Sequence, residues 1–274
     1  GLFPLTRLAL RHRSDRIIHL HWLDRIIHPT VRSKKRSIYT IRLALLAIDF
    51  SILRLMGRRV VWTVHNFVSH DTPSKTRECS ARAIISRLVH HLIYHSEGAR
   101  SWFRNEISAV GEQKTSVIPH GNYIGVYGTS PARVQELRDE LGLIENSTNV
   151  LFFGAIRGYK GLTDLIDCFF QTKNPSLRLI VAGKASQDSE VQELQSVMDG
   201  DSRIVQRLGF VPETDVEPLF SLAHAVVIPI RRPFTSGSAI LAMSLGKGLI
   251  LPASAKDLGV ADEAGALFYE NNEA

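Results

Sequence analysis

Two short segments of this chain gather the residue types that can hold a diphosphate. In Val150-Leu-Phe-Phe-Gly-Ala-Ile-Arg-Gly-Tyr-Lys-Gly161 an apolar run leads into a turn with three glycines, from which Arg157 and Lys160 project. Glycine lets the backbone approach an anion closely. A guanidinium beside an ammonium supplies charge that persists while a leaving group gathers negative charge. The turn has neither the Gly-Lys-Ser/Thr of a Walker loop nor a Gly-x-Gly-x-x-Gly run. The second segment is Arg231-Arg-Pro-Phe-Thr-Ser-Gly-Ser238. Its Thr235, Ser236 and Ser238 can cap a helix over Ala239–Leu245, whose free N–H groups and positive dipole end would meet a phosphate. A solvated glycine turn and an ordinary hydroxyl cap explain each segment singly, but the pair on strand ends of one domain is a stronger signal.

In the first half, His65 stands at the end of a strand. There an imidazole could take or give a proton, although a buried, hydrogen-bonded histidine is the competing reading. His19 and His21 share one strand face at i, i+2 spacing, with no third ligand in sight, so no metal site is expected. Asp24, just beyond them, is the acidic candidate for a base in this half, in competition with a capping role. His90 and His91 receive no role.

These residues need a scaffold that brings them to one edge. Residues 16–22 and 58–64 are short β-branched and aromatic runs, and Ser37–Met56 between them is long and apolar enough for a helix that Gly57 ends. The alternation continues with a helix at about 78–90, a strand at 91–95, a helix at about 97–107 and a strand at 115–119. After a polar stretch at 128–148, a second series has strands at 149–154, 177–182, 203–206, 225–230 and 248–252, with helices at about 161–171, 188–198, 215–222 and 237–245. Two such series predict an α/β chain of two doubly wound, Rossmann-like domains, 1–125 and 126–274, facing a cleft. Ligands bind beyond the carboxyl ends of parallel strands, which singles out His65-Asn66, His120-Gly121, Gly154 to Gly161, Gly183-Lys184, Gly209-Phe210 and Arg231 to Ser238.

Composition agrees with a globular protein of two domains. The chain has 274 residues, of which 44% are hydrophobic and 22% charged, so disorder, collagen and coiled coil are excluded as the main state. Only two cysteines are present, Cys79 and Cys168, without a Cys-x-x-Cys; this excludes a disulfide framework or thiolate zinc site and points to a cytoplasmic setting. Residues 1–120 hold 20 Lys/Arg against 8 Asp/Glu, and residues 121–274 hold 13 against 19. A basic first half suits an anionic partner, with solvated helix faces as the plain alternative. Lys34-Lys-Arg36 and Arg42, beside the apolar run 38–56, suit the surface of an anionic bilayer; a core helix with a basic cap is the competing reading. Arg42, Asp49 and Arg54 interrupt that run, which excludes it as a membrane span.

Taken in order, the motifs resemble the group-1, family-four-like glycosyltransferases of GT-B fold. Ile118-Pro-His-Gly121 resembles their interdomain segment, Phe153-Gly-Ala-Ile-Arg-Gly-Tyr-Lys-Gly161 their donor motif and Val181-Ala-Gly183 the strand end after it. Leu208-Gly-Phe-Val-Pro212 resembles the turn beside the nucleotide base. Ala223 to Pro229, followed by Thr235 to Lys247, resembles the strand and helix under the donor phosphates. Ile17-Ile-His-Leu-His21 and Trp62-Thr-Val-His-Asn66 look like acceptor-domain strands. Two departures stand out. The family's paired glutamates, eight positions apart, are replaced by Pro233 and Leu241, which marks a divergent branch and leaves retention or inversion open. The family's first strand and its closing helices would precede and follow this chain, so truncation at both ends is expected.

The resemblance implies transfer of a sugar from a UDP- or GDP-sugar to a hydroxyl on a glycan or lipid-linked acceptor, in exopolysaccharide or cell-envelope synthesis. His65, Arg157 and Lys160 are expected to act in catalysis. Gly154, Gly183, Phe210, Thr235, Ser236, Gly237 and Ser238 are expected to bind the donor, and His21, Asp24 and Asn66 to lie on the acceptor side. No cofactor, metal or nucleic acid is expected, and the setting is cytoplasmic, peripheral on the inner face of the plasma membrane. A non-catalytic nucleotide-sugar binder of the same fold is the alternative. A nucleic-acid binder lacks a basic-aromatic platform, since Trp22, Trp62 and Trp102 are scattered. A dehydrogenase lacks the dinucleotide fingerprint.

Overall fold

The computed structural model describes residues 3–32, 35–66, 68, 72–157, 160–186, 189–230, 236–257 and 265–270, without the side chains of 24, 25, 28, 29, 189 and 190. The described chain forms two compact units, Gly1–His120 and Gly121–Ala274. Among the described residues no helix is long and apolar enough to cross a membrane.

The first unit runs α1 (Pro4–Arg11), β1 (Ile17–Leu20), α2 (Asp24–Val31), α3 (Arg36–Leu55), β2 (Arg59–Thr63), α4 (Lys75–Leu88), β3 (His91–Tyr94), α5 (Glu97–Glu106) and β4 (Thr115–Val117). Its four strands are parallel in the order β1-β2-β3-β4. Burial alternates along β1 and β3, so one face of each strand packs inward and the other is more open. Phe50, Leu53, Ile85 and Phe103 of the helices are fully buried, and Trp62 and Tyr94 of the strands each lie 5.6 Å from the Phe103 ring. Each such side chain, fully withdrawn from water, contributes about 1.5–3 kcal/mol.

Two polar anchors tie the helices of this unit to other segments. Helix α1 is held at its N-terminus from a distance: the buried Asp49 of α3 accepts the Leu5 and Thr6 backbone N–H groups at 2.9 and 2.8 Å. In α4, Glu78 and Arg82 form an ion pair at 2.7 Å with both side chains almost wholly buried. Arg82 also reaches the Asn66 carbonyl and side-chain oxygens at 3.3 and 3.1 Å, and so ties α4 to the segment that leaves β2.

The second unit runs α6 (Pro131–Glu140), β5 (Thr148–Phe153), α7 (Leu162–Gln171), β6 (Leu177–Gly183), α8 (Ser189–Met198), β7 (Ile204–Leu208), α9 (Glu213–Leu222), β8 (Ala225–Val227), α10 (Gly237–Ser244), β9 (Gly248–Pro252), α11 (Ser254–Asp257) and β10 (Ala266–Tyr269). The six parallel strands stand in the order β10-β9-β8-β5-β6-β7. The chain therefore winds outward from β5 to β7, then returns to β8 on the other side of β5. That reversal between β5 and β8 is where doubly wound sheets open a crevice for ligand. The inner strands are apolar runs, and five consecutive residues of β6 are buried. Two apolar clusters flank the sheet, one including Leu151, Phe220 and Leu251 and the other Phe152, Ile166 and Val181. Tyr123 already packs against the first cluster, and its N–H donates to Ser244 Oγ at 2.9 Å.

The polar stretch at 128–148 contains α6. Its apolar anchor is Leu137, and Arg133 spans to Asp215 of α9 with two bonds of 2.9 and 3.0 Å. Asp215 takes a further bond from Arg207 at 3.2 Å. Val134, Leu137 and Leu141 form a short apolar stripe packed against the first cluster, and the Arg133–Asp215 pair fastens the helix to α9 beside it.

Candidate active site

In the second unit Gly154, Gly183 and Ser238, expected on the donor side, meet beyond the carboxyl ends of β5 and β6. Gly154 leaves β5 and Gly183 ends β6. Gly154 N–H donates to the Ala182 carbonyl at 3.0 Å and Gly209 N–H to the Gly183 carbonyl at 2.9 Å. The approach at Gly183 is too close for a side chain, because a β-carbon there would lie 1.9 Å from the Gly154 carbonyl oxygen. On Gly154, a β-carbon would come within 3.2 Å of Ser238 Oγ, so Gly154, Gly183 and Ser238 form one continuous surface of backbone and hydroxyl.

Beyond Gly154 the chain is braced against the segment after β6, with Ile156 N–H bonded to the Lys184 carbonyl at 2.9 Å and Ser186 N–H to the Ile156 carbonyl at 3.0 Å. Gly161 then caps α7 in the left-handed region, φ +71°, pressed against the Pro229 carbonyl oxygen. Between these fixed points lie Arg157, exposed, and Lys160, half-buried. Burial and then the Arg157 charge lower the Lys160 ammonium below its usual range. A bound diphosphate would offset both effects, which makes the pair a suitable anion cradle.

Ser236 caps α10, its hydroxyl accepting the Ala239 N–H at 3.2 Å, and Gly237 follows with its α-carbon toward the Tyr123 hydroxyl. The hydroxyl of Ser236 is thus engaged by the cap, whereas Ser238 faces Gly154. Phe210, beyond β7, is 82% exposed and presents a bare aromatic face. Leu241, at one glutamate position of the family, is buried in the core. Thr235 and Pro233 lie outside the described residues, as do Lys34 and the last four residues of the chain.

The first unit places a histidine just past each of its four strands: His21 after β1, His65 after β2, His95 after β3 and His120 after β4. His21 Nδ1 lies 2.9 Å from His65 Nε2. The His65 ring stacks on Trp22 at 4.8 Å and tilts against His95 at 5.0 Å, and His95 lies 5.2 Å from His120. Burial, then the neighbouring histidines led by His95, lower His65 to about 4, so it is a neutral imidazole at pH 7. Burial likewise lowers His95, whose Nδ1–H donates to the Ile118 carbonyl at 2.9 Å.

His95 was not singled out from sequence, although the strand-end rule that selected His65 applies equally to it. His19 pairs with Thr63 Oγ1 at 2.8 Å, with its ring 4.2 Å from that of His21. Asn66 is held by Arg82, as described above. Asp24 is the first residue of α2, and its side chain lies outside the described residues. His90 Nδ1 accepts the Val60 N–H and His91 bonds Ser116, both as sheet fasteners. Among the described residues no three His, Cys, Asp or Glu side chains are grouped so as to hold a metal ion.

Comparison with known proteins bears directly on this arrangement. The family described as Glycosyl transferases group 1 matches residues 147–274. A GDP-mannose:glycolipid 4-beta-D-mannosyltransferase of Xanthomonas campestris pv. campestris is 30% identical over 269 residues, covering 96% of this chain and 68% of the relative. Among solved structures, Anabaena HepE in complex with UDP and glucose superposes with a TM-score of 0.73 at 21% identity, over 97% of this chain and 67% of that one. Sucrose-phosphate synthase from Thermosynechococcus elongatus gives 0.74 at 18% identity, over 99% and 64%. The two parallel α/β units are thus those of the GT-B fold, and the chain belongs to the group 1 glycosyltransferases.

Proposed function

We propose that this glycosyltransferase moves mannose from GDP-mannose to a hydroxyl of a glycolipid acceptor in cell-envelope or exopolysaccharide assembly. The observation that carries this reading is the 30% identity to a mannosyltransferase of that description, which extends over 96% of the chain and so includes both units. Gly154, Gly183, Gly237 and Ser238 bring backbone and hydroxyl groups to the diphosphate. Arg157 and Lys160 neutralise it as it departs, without a resident metal. Phe210 offers its exposed face to the base.

The relative forms a β-mannoside. From an α-linked nucleotide sugar that outcome requires attack on the opposite face of C1, and hence a base for the acceptor hydroxyl rather than a carboxylate nucleophile. Leu241 in place of a family glutamate supports this course. In the first unit His65, neutral at pH 7, takes the role of base, with Asn66 and Asp24 on the acceptor side.

A glycolipid acceptor requires access to a membrane. Exposed Leu8 and Leu10 of α1 and Ile41, Ile48 and Leu55 of α3 accompany exposed Arg7, Arg11, Lys35 and Arg36, a combination that supports peripheral binding to anionic lipid.

The test is thermal unfolding with GDP-mannose, GDP, UDP and UDP-glucose on the wild type, Arg157→Ala and Lys160→Ala, followed by transfer of labelled mannose into extractable glycolipid. Ligand at a hundred times Kd adds about 2.7 kcal/mol, a shift of a few degrees for a chain of this size. A shift with GDP-mannose that either substitution reduces supports the reading. A shift with UDP-glucose alone, or with no nucleotide, overturns the donor assignment.

A further inference from the structure

The contact between His21 and His65 limits what the two rings can do. Two neutral imidazoles carry two protons on four nitrogens, and one of those protons must occupy the 2.9 Å bridge from His21 Nδ1 to His65 Nε2. If His21 supplies it, His65 is left as the Nδ1–H tautomer and cannot accept a proton at its outer nitrogen. If His65 supplies it, Nδ1 of His65 is bare. A third proton then fits without disturbing the bridge: it enters at His65 Nδ1, and the positive charge is shared through the N–H···N bond. A fourth would set two N–H groups against each other. The pair is therefore built to hold one added proton.

The surroundings favour this assignment. Trp22 stacks flat on His65 at 4.8 Å and restrains its ring plane. Among the described residues, the other ionisable groups near His65 are His19 beside His21, His95 beyond β3, His120 beyond β4, and Arg82 of α4 through Asn66, and none of these is a carboxylate. His21 is the hydrogen-bond partner through which the imidazolium can be stabilised.

We propose that His21 is the positioning residue of His65: it accepts the His65 Nε2–H, holds the tautomer whose Nδ1 is bare, and shares the charge when Nδ1 takes a proton. The proposal rests on the reading of His65 as the base. In the step, the acceptor O–H proton passes to His65 Nδ1 and the acceptor oxygen forms a bond to sugar C1. The C1–O bond to the diphosphate breaks with its electron pair, leaving the nucleoside diphosphate. Two neutral histidines thus replace the carboxylate–histidine arrangement in which an acid fixes the tautomer.

The experiment has two arms. Long-range 1H–15N spectra of the free protein at pH 7, assigned with His65→Gln, read the tautomer without substrate. The expected result is His65 protonated at Nε2 alone in wild type and in His21→Asn, whose side-chain oxygen takes the place of Nδ1, and a tautomer mixture in His21→Leu. A wild-type His65 protonated at Nδ1 overturns the proposal. The second arm is mannosyl transfer from GDP-mannose: His21→Leu is expected to lower kcat about a hundredfold with the donor KM unchanged, His21→Asn to restore most of it, and His21→Asp to move the acid limb of kcat upward by about one pH unit or more. Equal losses in all three variants with an unmoved acid limb overturn it. If the spectra give the expected tautomer while wild type transfers no mannose, the substrate reading fails and the histidine pair stands.

Discussion

Gly183 approaches Gly154 so closely that a β-carbon on Gly183 would sit 1.9 Å from the Gly154 carbonyl oxygen, with Gly183 itself at φ +140°. These two strand ends meet where the proposed donor diphosphate would rest. Gly183→Ala is expected to cost about 1–3 kcal/mol from backbone strain, with the clash added. Gly121→Ala, where nothing lies within 4 Å of the added carbon, is expected to leave the unfolding midpoint unchanged. Urea unfolding of both variants checks this, and equal midpoints would contradict the packing.

Glu78→Ala leaves Arg82 buried without its carboxylate. Removing one partner of a buried pair typically costs about 3–5 kcal/mol. Because Arg82 also grips Asn66, the segment carrying His65 is expected to loosen at the same time, read as broadened His65 resonances beside a lowered Tm.

Asp49→Ala removes the carboxylate that receives the first N–H groups of α1. A cap of this kind is worth about 0.5–2 kcal/mol. Amide exchange at 5–11 is expected to accelerate strongly while the sheet of the second unit stays protected. Uniform acceleration over the whole chain would refute a local role.

The Asp215 carboxyl is held below the usual carboxylate range, first by its hydrogen bonds from Arg133 and then by the Arg133 and Arg207 charges. A depressed folded value means that the stabilisation is complete above the unfolded value of about 3.9 and is lost as pH falls through the folded one. Asp215→Asn is therefore expected to be less stable than wild type at pH 7, with the gap closing on acidification from about pH 5 toward 2. A gap independent of pH would show that the ion pair is not its origin.

His65 works in the opposite sense to a histidine that gains an acidic partner. Its folded value of about 4 lies below the unfolded 6.5, so the unfolded chain binds more protons between these values and stability falls as pH drops through that window. His65→Gln is expected to flatten this part of the pH–stability curve.

The strand–helix alternation was legible along most of the chain because parallel strands buried among helices are short apolar runs, and most of those runs end within two residues of the hydrogen-bonded ladder, the run 225–230 outlasting β8 by three. Helices α1, α2 and α6 and the strand β10 were not. The N-terminus of α1 is satisfied by Asp49, over forty residues away, and α6 joins its short apolar stripe to an ion pair from Arg133 to Asp215, so for these two helices part of what holds them lies outside the window that periodicity reads. The strand-end rule placed His65, Gly154 and Gly183 at the carboxyl ends of their strands because those positions follow from the ladder alone.

The sequence by itself thus determined which residues stand at the carboxyl ends of the strands, since that depends on local apolar patterning and on the shared direction of parallel strands. Tertiary structure decided which of them touch. The neighbours of β5 are β6 and β8, the latter more than seventy residues further on, and only that pairing brings Gly154 to Ser238 and Gly161 to Pro229. In the same way, the register of β1 beside β2 sets His21 against His65 across forty-four residues. Strand order and register are settled by packing over the whole sheet, a long-range free energy that no segment of the chain expresses alone.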